Sequence, residues 1–415
     1  MSEHETSWRS KAKDQSSAAR HALKWLPLSA AIGVPAGLAS AVLLRALDYV
    51  TALRQGNPWL LYLLPIAGAL VGWAYHRFGK ESHRGHNLLI EQIHEPGAGV
   101  PKRMAPFVFV GTVVTHLFGG SAGREGTAVQ MGGSMAGAIA RALNLDKDGM
   151  RVALMGGIAA GFGSVFGTPL AGAVFALEVL AIGVIRYDSL FPCLLASVVA
   201  DWTCRAAGAH HDRYLIADAV LGPLLLAKAA LAGALFGLAG QLFAELTHAL
   251  EKIFARLSNN AAVRPALGGA AIILLVALCG SRDYLGLGTD GIASSFRAGG
   301  AGWFSWLWKT LFTATTVASG LKGGEVTPLF FIGSTLGNAL AGILSAPVDL
   351  FAGLGLVAVF AGAANTPLAC TFLGVELFGA ASLIPIAIAC FTSYLFSGHS
   401  GIYRSQHLSI RKGEK

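Results

Sequence analysis

Charge is scarce in this chain. Only 13% of its 415 residues are Asp, Glu, Lys or Arg, against 54% hydrophobic ones; soluble domains carry about 25% charged residues. That shortfall excludes a soluble enzyme of this size. Cysteine is scarce too. Cys193, Cys204, Cys279, Cys370 and Cys390 lie scattered in or beside apolar stretches, with no metal-site or disulfide spacing, so buried structural thiols are expected. A basic stripe on a polar domain is missing. The net charge of +8 sits mainly in the tails and between apolar runs, which excludes nucleic acid as a partner. No Ser/His pair, paired aspartates or His-rich metal motif lies on the apolar segments, so neither a membrane-embedded enzyme nor a metal or cofactor site is expected.

What the chain has in abundance is apolar runs and glycine. Runs at 25–44, 59–75, 105–118, 221–243 (with Lys228), 266–279, 303–318 and 354–396 recur from one end to the other. Some reach the roughly 20 residues that cross a bilayer and others stop short, the mark of re-entrant or broken membrane helices. Fifty-three glycines suit close helix packing and helix breaks. The first run follows a 24-residue polar leader and is expected to be retained rather than cleaved. Arg9, Lys11, Lys13, Arg20 and Lys24 precede it, and Arg404, Arg411, Lys412 and Lys415 follow the last run. The positive-inside tendency puts both termini in the cytoplasm. No sizeable soluble regulatory domain is expected after the last run.

The most informative feature is internal. Residues 123–137 read GREGTAVQMGGSMAG and residues 323–337 read GGEVTPLFFIGSTLG. In this register Gly123 meets Gly323, Glu125 meets Glu325, Thr127 meets Thr327, and the Gly-Ser pairs at 133 and 333 coincide. A second match, TPLAGAVFALE at 168–178 against TPLACTFLGVE at 366–376, follows in the same order. Shared membrane composition explains the glycines and alanines but not the paired glutamates and Thr-Pro-Leu, so the chain reads as a duplication. The expected division is a basic tail (1–24), a first membrane repeat (25–212), a second (213–400) and a short C-terminal segment (401–415). Such repeats commonly hold their substrate site where they meet, near the membrane midplane.

Each motif sets a glutamate in a glycine-rich break just before a new apolar segment. A helix start there leaves N–H groups unpaired, and with the positive end of the helix dipole they suit an anion. Irregular backbone at membrane depth is tolerated where protein or a water-filled cavity satisfies it. Glu125 and Glu325 are then ionisable groups at membrane depth, where the default reading is functional. A carboxylate lying on such donors competes with a bound anion, and protonation releases it. The competing reading is a carboxylate that caps a helix start, which weighs most for Glu178 and Glu376 inside their apolar runs.

At these residues the sequence resembles the CLC family of chloride channels and proton-coupled anion antiporters, over nearly the whole membrane region. GREGT at 123–127 is similar to the family's G-[KR]-E-G-P motif, GGEVTP at 323–328 to its G-x-F-x-P motif, and Tyr403 to its anion-coordinating tyrosine. The resemblance implies an all-α polytopic fold of two inverted-topology repeats and a homodimer with one pore per subunit. It implies Glu125 as the external gating glutamate. It also implies an anion site drawn from Gly123, Arg124, Gly126, Thr127, Val326, Thr327 and Tyr403. Thr127 in place of proline, Glu325 and Val326 in place of two apolar residues, and GHNLL at 85–89 in place of a serine motif resemble the fluoride-exporting branch. His86 aligns with that serine and Asn87 is adjacent; either side chain can donate a hydrogen bond to fluoride. Glu325 is expected as the inner proton-handling group, with Asp212 or His211 as the alternative. Arg124 and Lys322 are expected to attract anions, with snorkelling the other role for Lys322. The expectation is a fluoride/proton antiporter of a bacterial inner membrane, with a chloride/proton antiporter or chloride channel as the alternative.

Overall fold

The computed structural model describes residues 3–97, 99–185, 187–217 and 221–413, with side chains from residue 22 onward. The leader charges Arg9, Lys11, Lys13 and Arg20, and Lys415 at the other end, lie outside the described side chains.

The fold is built from helices that fall into two sets. The first holds α1 (Glu3–Gly56), α2 (Leu64–Ala74), α3 (Gly85–His94), α4 (Met104–Leu117), α5 (Glu125–Ala142), α6 (Lys147–Phe166), α7 (Pro169–Glu178) and α8 (Leu190–Ala206). The second holds α9 (Pro223–Leu257), α10 (Val263–Cys279), α11 (Thr289–Ser295), α12 (Ser305–Ala318), α13 (Val326–Leu344), α14 (Val348–Ala364), α15 (Pro367–Phe378) and α16 (Leu383–Phe396). Helix α9 and residues 22–56 of α1 are long and apolar enough to cross a bilayer. At 10 and 12 residues, α7 and α15 rise only about 15–18 Å and cross about half of one.

Local chemistry repeats with the sequence. Helix α6 ends on Gly167 at φ +73° and α14 on Asn365 at φ +57°, the left-handed stop that glycine and asparagine tolerate. Thr-Pro follows each stop, and the proline opens the next helix where its missing N–H costs nothing. Packing repeats as well. Helix α5 lies on α6 as α13 lies on α14, α1 on α8 as α9 on α16, and α4 on α5 as α12 on α13. The sets meet through α7 with α15 and α2 with α10.

Residues 401–412 fold back onto both sets instead of trailing away. Strand β1 (Ala181–Ile182) pairs in parallel with β2 (His407–Leu408). Ile402 N–H donates to Ala363 O at 2.9 Å, and the Lys412 ammonium donates to Asn365 Oδ1 at 2.6 Å and Ser397 Oγ at 2.9 Å. This anchoring fixes Tyr403 inside the protein, where it is 6% exposed.

Candidate anion site

The two motifs meet backbone to backbone. Gly123 N–H donates to Gly324 O at 2.6 Å and Gly324 N–H to Gly123 O at 2.7 Å, an isolated antiparallel bridge. Side chains are excluded here. A Cβ on Gly323, at φ +151°, would lie 2.4 Å from Ala122 Cβ, and one on Gly324 would lie 2.8 Å from Gly126 N. Helices α5 and α13 start immediately beyond the bridge.

Glu125, fully buried at 0% exposure, reaches across to the other motif. Its Oε2 accepts the Thr327 N–H at 3.1 Å and the Arg124 N–H at 3.1 Å, and its Oε1 accepts the Thr327 hydroxyl. Arg124 Nε stands 3.8 Å from Oε1. The carboxylate therefore occupies helix-start donors of the kind that bind anions. Among the described residues the Gly126 and Val326 N–H groups on either side have no hydrogen-bond acceptor.

Two cavities that share no lining residue approach this point. One of about 870 Å³ reaches Arg124 and is lined by Arg54, Asp212 and Tyr284. The other, about 260 Å³, reaches Gly323 and Glu325 and is lined by His86, Gln130, Lys322, Tyr403 and Arg404. Glu325 opens α13 without a side-chain cap hydrogen bond, so capping does not account for it. It faces the second cavity with Glu251 and His248 of α9.

Helical repeats joined at their pore motifs, with a carboxylate on anion-type donors between two cavities, define a membrane transport protein for anions. The chain belongs to the voltage gated chloride channel family, the CLC family, which it matches over residues 67–398; its members are channels and transporters, not enzymes. It is 51% identical to a chloride/fluoride channel protein of Pseudomonas syringae pv. tomato over 94% of this chain and 87% of that one. It is 28% identical to an H(+)/Cl(−) exchange transporter of Cronobacter sakazakii over 91% and 87%. Among solved structures, a CLC-type fluoride/proton antiporter superposes with a TM-score of 0.90 at 37% identity, covering 93% of this chain and 98% of that one.

Several expected positions come together and others do not. Glu125, Val326 and Thr327 are adjacent, and His86, Glu325 and Tyr403 share the smaller cavity. The Gly123 N–H is committed to the bridge with Gly324 O. Thr127 turns its hydroxyl to Thr112 at 2.6 Å, away from Glu125. Asn87 accepts the Ser405 N–H at 3.1 Å and lines the smaller cavity with His86, whose ring lies tilted against Tyr403 with centroids 5.5 Å apart. Asp212 lies in the larger cavity, 3.4 Å from Arg124, not beside Glu325. Burial holds His211 below the ordinary histidine pKa, and its neutral ring donates from Nε2 to Ser164 O at 2.8 Å. Lys322 lies with its ammonium 4.4 Å from the Tyr75 ring centroid and lines the smaller cavity instead of snorkelling.

The motifs do not point to Lys309, which sits inside the apolar run at 303–318, nor to Gln130 and Glu251, and Arg404 enters the sequence pattern only as a topology-setting charge. Gln130 was visible as a lone polar residue five positions beyond Glu125. The partnership of Arg404 with Glu251 had no signal in the chain, because 153 residues separate them.

Proposed function

We propose that this protein is a fluoride/proton antiporter that exports cytoplasmic fluoride on the inward proton gradient. The observation that carries the reading is Glu125 lying on the Thr327 and Arg124 donors. An ionised Glu125 holds the donors that an anion needs. A proton taken onto a carboxylate oxygen removes the charge that holds it there, the side chain leaves, and fluoride takes the amide and hydroxyl hydrogens in its place. Return of the carboxylate expels the anion and releases the proton, so the two cannot share the site. Glu325, facing the second cavity beside Tyr403, exchanges protons with the cytoplasmic side. Fluoride is small, hard and a strong acceptor, and suits short, rigid N–H and O–H donors. Hydrogen fluoride is a weak acid that crosses bilayers and ionises inside, so a proton gradient drives the trapped anion out. The names of the similar Pseudomonas protein and of the solved antiporter support fluoride as the cargo. The protein is taken to act as a homodimer in a bacterial inner membrane with both termini cytoplasmic.

The decisive experiment follows fluoride, chloride and proton fluxes together in liposomes. Fluoride efflux coupled to proton uptake, abolished or uncoupled in Glu125→Gln, is expected. Equal chloride flux would instead favour the chloride/proton exchange named for the Cronobacter relative, and fluoride efflux without proton movement would remove the antiport.

A further inference from the structure

His86 sits at the start of α3 with its two ring nitrogens in different situations. Gln130 Nε2, from the second turn of α5, lies 3.3 Å from His86 Nδ1. The other nitrogen, His86 Nε2, is buried and has no hydrogen-bond partner. An amide nitrogen carries hydrogens and no free lone pair, so the contact makes Nδ1 the acceptor and leaves the ring hydrogen on Nε2.

The ring edge that carries this nitrogen lies against Gly126. A Cβ built on Gly126 would lie 2.7 Å from His86 Cε1, 3.4 Å from Nε2 and 3.0 Å from Gly324 Cα. The ring edge therefore closes on the seam between the two motifs, next to the unpartnered Gly126 N–H. A buried donor without an acceptor costs free energy, and native proteins rarely keep one without a reason. Here Gly126, against the ring, offers a second N–H without an acceptor among the described residues, and clustered N–H donors suit a small anion. Neither His86 nor Gln130 brings a countercharge. A neutral N–H on a ring held from behind supplies direction without trapping the ion electrostatically.

We propose that Gln130 is a positioning residue that holds His86 in its Nε2–H tautomer, so that the ring donates to the transported anion beside Gly126. The inference rests on the antiport reading above for the identity of that anion as fluoride. It also explains how an imidazole can stand where the resemblance expects a serine hydroxyl: both present a neutral hydrogen, but the imidazole does so only if its far nitrogen is kept as an acceptor.

The test is the ¹⁵N spectrum of histidine-labelled protein in lipid bilayers, with the His86 signals identified by their loss in His86→Phe. The expected wild-type result is Nε2–H, with that signal moving on fluoride titration. Gln130→Glu, whose carboxylate only accepts, should move the hydrogen to Nδ1 and raise the KM for fluoride about tenfold or more, the loss of one hydrogen bond to a charged group, with a smaller change in kcat. A wild-type ring protonated on Nδ1, or an unchanged KM once the tautomer has moved, would overturn the proposal. Should Gln130→Glu not fold, Gln130→Met removes the donor at similar volume, and the wild-type titration alone can refute the assignment. Chloride transport without fluoride transport would overturn the fluoride reading only; the response of the His86 signal to chloride would then decide the tautomer claim separately.

Discussion

Glu178 and Glu376 exchange helix caps across the boundary between the repeats. Glu178, at the end of α7, accepts the Leu368 and Ala369 N–H groups at the start of α15 at 3.0 and 2.7 Å. Glu376, at the end of α15, accepts the Leu170 and Ala171 N–H groups at the start of α7 at 3.0 and 2.8 Å. Each carboxylate thus fills the orphan donors of a helix that begins at membrane depth, where no cap is offered by its own Thr168 or Thr366.

Replacing either of these glutamates by glutamine keeps one acceptor oxygen and leaves one amide unmatched. Glu178→Gln and Glu376→Gln should each lower stability by about 1–3 kcal/mol without stopping transport. Thermal unfolding in detergent, read beside liposome flux, checks this; a melting temperature unmoved in both variants would show that the exchange of caps contributes nothing.

Thr327 offers Glu125 both its N–H and its hydroxyl. Thr327→Val keeps the backbone donor and the side-chain shape but removes the hydroxyl. Fluoride turnover should fall by about tenfold, the worth of one hydrogen bond to a charged group, and Thr327→Ser should restore most of it. Equal rates in the valine and serine variants would place the hydroxyl outside the transport step.

Glu325 lines the smaller cavity and does not cap the helix it opens. In Glu325→Gln the side chain cannot carry a proton, so proton flux should fall while some fluoride flux continues. The measurement is the ratio of the two fluxes in one liposome preparation. A wild-type ratio would move the inner proton site elsewhere, with Glu251 the next group in that cavity to test.

Lys309, wholly buried, donates to Tyr284 O at 3.1 Å and Gly286 O at 2.8 Å. Its ammonium also stands 5.4 Å from the Phe331 ring centroid. Among the described residues it has no carboxylate partner, so it holds the 280–288 loop by two hydrogen bonds to carbonyls and meets α13 through the Phe331 ring. Lys309→Met should leave two buried carbonyls unmatched and cost about 2–4 kcal/mol, with faster amide exchange confined to that loop. Uniform exchange behaviour with wild-type stability would contradict this assignment.

The duplication was legible in the sequence because glutamate, Thr-Pro-Leu and glycine recur in register at positions that composition does not explain. The two cavities and the choice between His86 and Asn87 were not. Ser405 returns from the far end of the chain to take the Asn87 carbonyl, and the His86 ring and the Asn87 side chain both line the smaller cavity. Asp212 illustrates the same limit from the other direction. It is adjacent to histidines in sequence, yet its position is set by Arg124 in the larger cavity. Glu178 and Glu376 accept helix-start N–H groups whereas Glu325 does not cap the helix it opens, a difference the sequence pattern does not carry.

The Gly123–Gly324 bridge has a consequence for how such a chain can change over time. Its two halves carry matching motifs, but at this seam neither half is free to drift. A side chain gained at Gly323 would strike the Ala122 side chain, and one gained at Gly324 would strike the Gly126 backbone of the other half, which no substitution there can move aside. Substitutions at these two glycines should therefore be tolerated poorly, whatever the rest of the two copies carries.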